Sequence, residues 1–305
     1  MQIYSDITQV KLNKPTAVTV GKFDGIHRGH ELLTCKITDK KNDGFDAVVV
    51  TFDLSPRIVL NSAENYNLIT ADERAYILEA DGVDAIAVCV FSDEMMHMEP
   101  ENFVKMLYNN LNMRYMAVGT DFRFGYKGRG DVNLLYTMAK ELGFQLEVVE
   151  KIKKDSRDIS STFIREEIRK GNMELVNELL GYNYFIWGEI VHGNHIGTGM
   201  GIPTINMIPP KNKLLPPNGV YVTEVMIDNR VFHGISNVGV KPTVPGEREI
   251  NVETNILDFR EDVYEKTAKV SFLKMVRPEM KFDSLDLLKE QILSDTKKAH
   301  EYFNL

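Results

Sequence analysis

The chain has 305 residues, 43% hydrophobic and 26% charged, with a formal net charge of −8. That is an ordinary globular composition, long enough for about two domains with a core each. The negative balance argues against nucleic acid or an anionic membrane as the main partner, but not against nucleotides, which need only a local positive site.

The opening Met1-Gln2-Ile3-Tyr4-Ser5-Asp6 has no leader pattern. The apolar run Ala85–Phe91 is far too short to cross a bilayer and suits a buried parallel strand. Cys35 and Cys89 lack metal or redox spacing, so two reduced core thiols in a cytoplasmic protein are expected. Strands are expected at Thr16–Gly21, Asp46–Phe52, Val83–Phe91, Arg114–Gly119 and Phe144–Glu150. Helices are expected at His30–Lys40, at Ala71–Ala80 behind a Thr70-x-x-Glu73 capping box, and at Val132–Leu142 before Gly143. This alternation predicts an α/β fold with a doubly wound, mostly parallel sheet. Near Gly181-Tyr182 the pattern changes to short β-rich runs: Tyr184–Val191, Gly219–Ile227, Val231–Val238, Ile250–Leu257 and Ala268–Leu273. Asp228-Asn229 is a hairpin signal, and the runs predict a smaller antiparallel β-barrel or sheet. Leu285, Leu288, Ile292, Ala299 and Phe303 define one face of a C-terminal helix. The expected division is therefore 1–182 and 183–305.

Residues 21–30 read Gly-Lys-Phe-Asp-Gly-Ile-His-Arg-Gly-His, between the first core strand and a helix. Free N–H groups and the helix dipole at such a turn favour phosphate, and His27 and His30 add donors for charge developing on a phosphoryl group. Zinc is the weaker reading, since neither a third ligand nor a His-Glu-x-x-His run accompanies the pair. Further on, Ser160-Ser161-Thr162-Phe163-Ile164-Arg165 places hydroxyls before a helix, where capping alone explains them, and an arginine one turn in that reaches a triphosphate. Gly119-Thr120-Asp121-Phe122-Arg123-Phe124-Gly125 is a glycine-rich loop after a strand. In the second half, Gly201-Ile202-Pro203-Thr204-Ile205-Asn206 reads as a turn between strands, and Glu253 shares a strand face with Asn251 and Asn255.

These motifs, in this order over almost the whole chain, resemble the prokaryotic riboflavin kinase/FAD synthetase family, a branch of the His-x-Gly-His nucleotidyltransferases. The resemblance implies a transferase domain that adenylylates FMN to FAD and a kinase domain that makes FMN from riboflavin. By that resemblance His27 and His30 are catalytic, and Gly21, Phe23, Asp24, Gly29, Ser161, Thr162, Arg165 and Gly201 bind nucleotide. It also assigns Phe52, Pro56, Asp121 and Phe124 to flavin or adenine, Thr204 and Asn206 to magnesium and phosphate, and the kinase's general base to Glu253. Mg²⁺ would arrive bridging ATP oxygens rather than in a protein cage.

Two stretches depart from the family pattern. Phe52-Asp53-Leu54-Ser55-Pro56 lacks the Pro-His pair of Phe-Asp/Glu-Pro-His-Pro, which bears on flavin placement. His192-Gly193-Asn194-His195-Ile196-Gly197-Thr198-Gly199 carries Ile196 and Thr198 where the family has arginines, and Ile205 replaces an alanine, so weakened kinase activity is expected. Two alternatives are a monofunctional FMN adenylyltransferase with a non-catalytic flavin-binding C-terminal domain and a non-enzymatic flavin sensor. The intact phosphate constellation weighs against the sensor.

Overall fold

A computed structural model describes residues 1–53, 66–192, 202–244 and 247–305. The chain packs as two compact units, Met1–Ser161 and Thr162–Leu305.

The first unit is built on a six-stranded sheet of order β1-β4-β3-β2-β5-β6. Its strands are β1 (Gln2–Tyr4), β2 (Thr16–Val20), β3 (Asp46–Asp53), β4 (Ala85–Val90), β5 (Met113–Gly119) and β6 (Gln145–Val149). All its pairings are parallel, as the alternating pattern predicts. Every residue of β2 is buried, which is why it reads as a continuous apolar run rather than an alternating one. β3 lies on one side of β2 and β5 on the other, so the strand order reverses at β2 and leaves a crevice at its carboxyl end.

Helix α1 (Arg28–Asp39) follows β2 directly. Helix α2 (Ala71–Ala80) starts at the expected capping box: the Glu73 N–H donates to Thr70 Oγ1 at 3.1 Å, and the Thr70 N–H donates to Glu73 Oε2 at 2.8 Å. A short helix α3 (Asp93–Met96) and helix α4 (Pro100–Asn110) were not marked by the sequence pattern. α4 has Pro100 in its first turn, a position that costs no hydrogen bond. Helix α5 (Val132–Leu142) stops at Gly143, whose φ of 78° is left-handed. Cys89 is buried in the core, where desolvation pushes its thiol up to about 12. Cys35 is exposed, contrary to the core position expected of it, because α1 buries its Thr34 and Ile37 face instead.

After a small hairpin, β7 (Lys153–Lys154) and β8 (Arg157–Asp158), come helices α6 (Ser161–Lys170) and α7 (Met173–Leu180). α7 packs on the second unit's sheet. Asn177 donates from Nδ2 to the Phe272 carbonyl at 2.9 Å and accepts the Tyr184 N–H on Oδ1 at 2.8 Å. The packing therefore divides about a helical hairpin earlier than the change in composition near residue 182.

The second unit's strands are β9 (Phe185–Glu189), β10 (Ile205–Met207), β11 (Gly219–Ile227), β12 (Arg230–Val244), β13 (Glu247–Ile256) and β14 (Thr267–Pro278). They run antiparallel in the order β10-β13-β12-β11-β14-β9. A bridge between Val191 and Asn206 links the two outer strands, so the sheet nearly closes into a barrel. Asp228 and Asn229 both have positive φ, 51° and 62°, the backbone a two-residue hairpin needs. Helix α8 (Leu285–Phe303) is capped by Ser284 Oγ on the Leu287 N–H and packs against β11 and β12. Ala299 joins Val220, Val222, Ile235 and Leu273 in the core, with Phe303 against them.

Candidate active site

The turn Gly21–His30 leaves the carboxyl end of β2 at the reversal of strand order. It begins with the Gly21 N–H donating to the Val50 carbonyl at 3.0 Å. Its backbone is unusual beyond its glycines. Phe23 and Ile26 have φ of 47° and 29°, and both side chains are essentially fully buried. Their burial holds the loop in a backbone shape that residues of this size rarely adopt. At Gly25, with φ of 91°, a Cβ would come within 2.6 Å of Leu68 Cδ1.

His27 is the N-cap residue of α1, and its side chain makes no capping bond. The His27 and His30 rings stack with centroids 3.9 Å apart, and Phe23 lies 4.8 Å from His30. Gly29 permits this closeness, since a Cβ there would meet the His27 ring at 3.2 Å. Nδ1 of each histidine is enclosed and makes no hydrogen bond among the described residues. Burial pushes the His27 pKa down to about 4. His30 is also held well below its usual value, by burial first and then by the charges of His27 and Arg74. Both imidazoles are therefore neutral near pH 7, and can donate a proton-bearing nitrogen without carrying charge.

Asp24 is buried, and its Oδ1 accepts the N–H groups of Leu68 and Ile69 at 2.8 and 3.3 Å. Its carbonyl accepts the Ser161 hydroxyl at 2.7 Å, so Asp24 ties together the turn, the segment before α2 and Ser161. Thr162 and Arg165 follow on the first turns of α6, Thr162 exposed and Arg165 half-buried. Phe52, near the end of β3, lies 5.4 Å from Phe91. Asp121, just after β5, is exposed and pairs with Lys151 at 2.8 Å. Phe124 is buried in the core beside Phe122 and Phe103. Pro56 and Gly201, with Leu54, Ser55 and the stretch 193–200, lie outside the described residues.

In the second unit the Thr204 hydroxyl donates to Glu253 Oε1 at 2.7 Å. Asn206 pairs in register with Glu253, and its Oδ1 accepts from Asn251 Nδ2 at 2.9 Å. Asn255 donates to the Pro203 carbonyl at 2.8 Å. The Asn251, Glu253, Asn255 face of β13 thus carries the Pro203–Asn206 segment. Beside Thr204 and Glu253 is a cavity of about 600 Å³ also lined from β14, α8 and the segment between them, including Arg277, Phe282, Leu288, Ile292 and Asp295. Arg277 Nε donates to Asp295 Oδ2 at 2.7 Å, and Asp295 is almost fully buried on the inner side of α8. Neither residue was singled out from sequence. A lone acid among the apolar positions of an amphipathic helix was the available signal. Arg74 and Thr51, beside the histidine turn, were missed too, because no motif contains them.

No group of three or more His, Cys, Asp or Glu able to hold a metal occurs among the described residues. The oxygens of Thr204, Asn206 and Glu253 suit a hard cation that brings its own phosphate ligands.

A doubly wound sheet with paired histidines at its reversal point, followed by a barrel with a carboxylate-lined cavity, defines a nucleotidyltransferase-type domain joined to a second ligand-binding domain. Two family models divide the chain in the same way, FAD synthetase over residues 9–163 and riboflavin kinase over 180–303. The chain is 33% identical over 298 residues to the bifunctional riboflavin kinase/FMN adenylyltransferase of Bacillus subtilis, covering 95% of this chain and 93% of the relative. It is 32% identical to the Haemophilus influenzae enzyme of the same name, covering 94% of each. A crystal structure of a protein named as a macrolide-efflux protein from Streptococcus pneumoniae matches 98% of both chains at 29% identity, with a TM-score of 0.87. The chain belongs to the bifunctional riboflavin kinase/FMN adenylyltransferase family.

Proposed function

We propose that the chain makes FAD, with residues 1–182 transferring AMP from ATP to FMN and residues 183–305 binding flavin and phosphorylating riboflavin only weakly. The observation that carries the first half is the stacked His27–His30 pair at the strand-order reversal, each ring with an enclosed nitrogen that makes no hydrogen bond among the described residues. A phosphate oxygen of FMN attacks the α-phosphorus of ATP, the bond to the β-phosphate bridging oxygen breaks, and pyrophosphate leaves. The imidazoles donate hydrogen bonds to the charge that builds on the phosphoryl oxygens, and no covalent enzyme intermediate is needed. Ser161, Thr162 and Arg165 would hold the triphosphate, and Phe52, Pro56, Asp121 and Phe124 would border the flavin or adenine. Cytoplasmic residence fits these substrates, and no helix among the described residues is long and apolar enough to cross a membrane.

For the kinase half, Glu253 would take the proton from the ribityl hydroxyl, and Thr204 and Asn206 would offer oxygens to a magnesium ion, which would supply charge stabilisation for the transferring phosphoryl group. Ile196 and Thr198 cannot supply the two charge-assisted phosphate contacts that arginines would make, each worth roughly 1.5–3 kcal/mol. The deciding experiment incubates purified protein with ATP, Mg²⁺ and either FMN or riboflavin and resolves the products by chromatography. FAD and pyrophosphate are expected from FMN, and little FMN from riboflavin. No FAD from FMN overturns the transferase reading.

A further inference from the structure

One half-buried cation beside the histidine turn has no place in the mechanism above. Arg74 stands on α2, and its Nη1 donates to the Thr51 hydroxyl at 3.2 Å. That hydroxyl, buried near the carboxyl end of β3, donates in turn to the Lys22 carbonyl at 3.1 Å. Helix, strand and turn are thereby joined through one hydroxyl on the side of the sheet where the parallel strands end. The guanidinium is near enough to His30 that its charge contributes to the imidazole's lowered pKa.

The chemistry at the turn calls for a fixed positive charge. Neutral imidazoles donate hydrogen bonds without charge, which leaves Arg165 as the one cation so far assigned against the several negative charges that a triphosphate and a flavin phosphate bring together. Lys22 and Arg28 are exposed, and Arg28 also faces Glu31 at 3.8 Å, so solvent screens the charge of both. A guanidinium oriented by a buried hydroxyl is preorganised, and preorganised charge stabilises a transition state without reorganisation cost.

We propose that Arg74, oriented by Thr51, is a phosphate-binding residue of the transferase site, its charge acting on the phosphates received at the turn Gly21–His30. The inference rests on adenylyl transfer taking place at that turn. A purely structural role predicts something different. If Arg74 only ties α2 to β3, its charge is immaterial, and lysine and glutamine, both shorter than the Nη1 that reaches Thr51, should affect the rate alike.

The test follows FAD formation from ATP, Mg²⁺ and FMN by the full-length protein and its Arg74→Lys, Arg74→Gln and Arg74→Ala variants. Arg74→Lys should keep kcat/KM for ATP within about threefold, while Arg74→Gln and Arg74→Ala lose at least about tenfold. The pH profile adds a readout that a structural role leaves unmoved. The charged or titrating groups acting on His30 are His27 and Arg74, so removing the arginine lets His30 protonate at higher pH. The acid limb should then move upward in Arg74→Gln and stay in place in Arg74→Lys. Arg74→Gln with wild-type kinetics and an unmoved limb overturns the inference, as does Arg74→Lys impaired equally with Arg74→Gln. Both outcomes leave the transferase reading standing. A parent protein that makes no FAD removes that reading and this inference together. If Arg74→Ala fails to fold, the Gln–Lys comparison still decides.

Discussion

An imidazole that is stacked on another, packed on a phenyl ring and enclosed at one nitrogen has little freedom left to serve as a proton shuttle. In the proposed mechanism His27 and His30 donate hydrogen bonds in their neutral forms. His30→Ala should therefore lower FAD formation by at least about tenfold, the effect of losing one preorganised donor, while FMN still binds. Steady-state kinetics together with flavin fluorescence titration checks both halves. The same burial has a consequence for stability. With the folded pKa of His27 at about 4 against an ordinary 6.5, the unfolded chain binds protons in that interval that the folded chain refuses. The contribution is fully present above pH 6.5 and is lost progressively as pH falls toward about 4. Urea unfolding at pH 7 and pH 5.5 should show lower stability at the acid value, and His27→Gln should flatten the slope. Asp24 is the neighbouring case: Asp24→Ala strips two buried N–H groups, Leu68 and Ile69, of their acceptor. It should cost about 1–3 kcal/mol in unfolding free energy.

At the scale of elements, α8 shows how an amphipathic pattern can conceal an ion pair. Leu288, Ile292 and Ala299 follow the expected spacing, but Asp295 occupies the same inner side, paired with Arg277 and accepting from Gln291 Nε2 at 2.9 Å. The pair fixes the helix over the 600 Å³ cavity. Asp295→Ala leaves a largely buried guanidinium without its carboxylate and should destabilise the protein by roughly 3 kcal/mol or more. It should also weaken riboflavin binding, which fluorescence quenching would register. If stability and riboflavin affinity are both unchanged, the pair does not hold the cavity wall.

For the whole molecule, the question is how far the two halves act independently. A fragment ending at residue 182 should fold and make FAD, but it carries α7 without the sheet on which that helix packs. Met173, Val176, Leu179 and Leu180, all buried in the intact chain, become uncovered. The fragment should therefore bind a hydrophobic dye more strongly than the full-length protein does, and a folded but inactive fragment would mean that the transferase site depends on the second unit. The kinase half makes an opposite kind of prediction. Ile196→Arg combined with Thr198→Arg should raise the rate of riboflavin phosphorylation, because two cations return to the loop before Thr204. No gain in the double variant would turn attention to Ile205.

Hydrophobic period and turn chemistry are local properties, which is why β2, the capping box at Thr70–Glu73, the stop at Gly143, the Asp228-Asn229 hairpin and the strand–turn–helix around His27 and His30 were legible in the amino-acid order. Each depends on neighbours within a few residues. Tertiary structure alone decided what depends on residues far apart in the chain. It turned α7 toward β14, left Cys35 exposed, gave Asp24 the backbone of Leu68 and Ile69, and set Glu253 against Thr204, 49 residues away. It also brought Arg74 and Thr51 to the histidine turn and Asp295 to Arg277. Burial makes the two histidines neutral, and burial is set by the packing of Phe23, the α1 start and the strands around them, which no spacing within the motif can express.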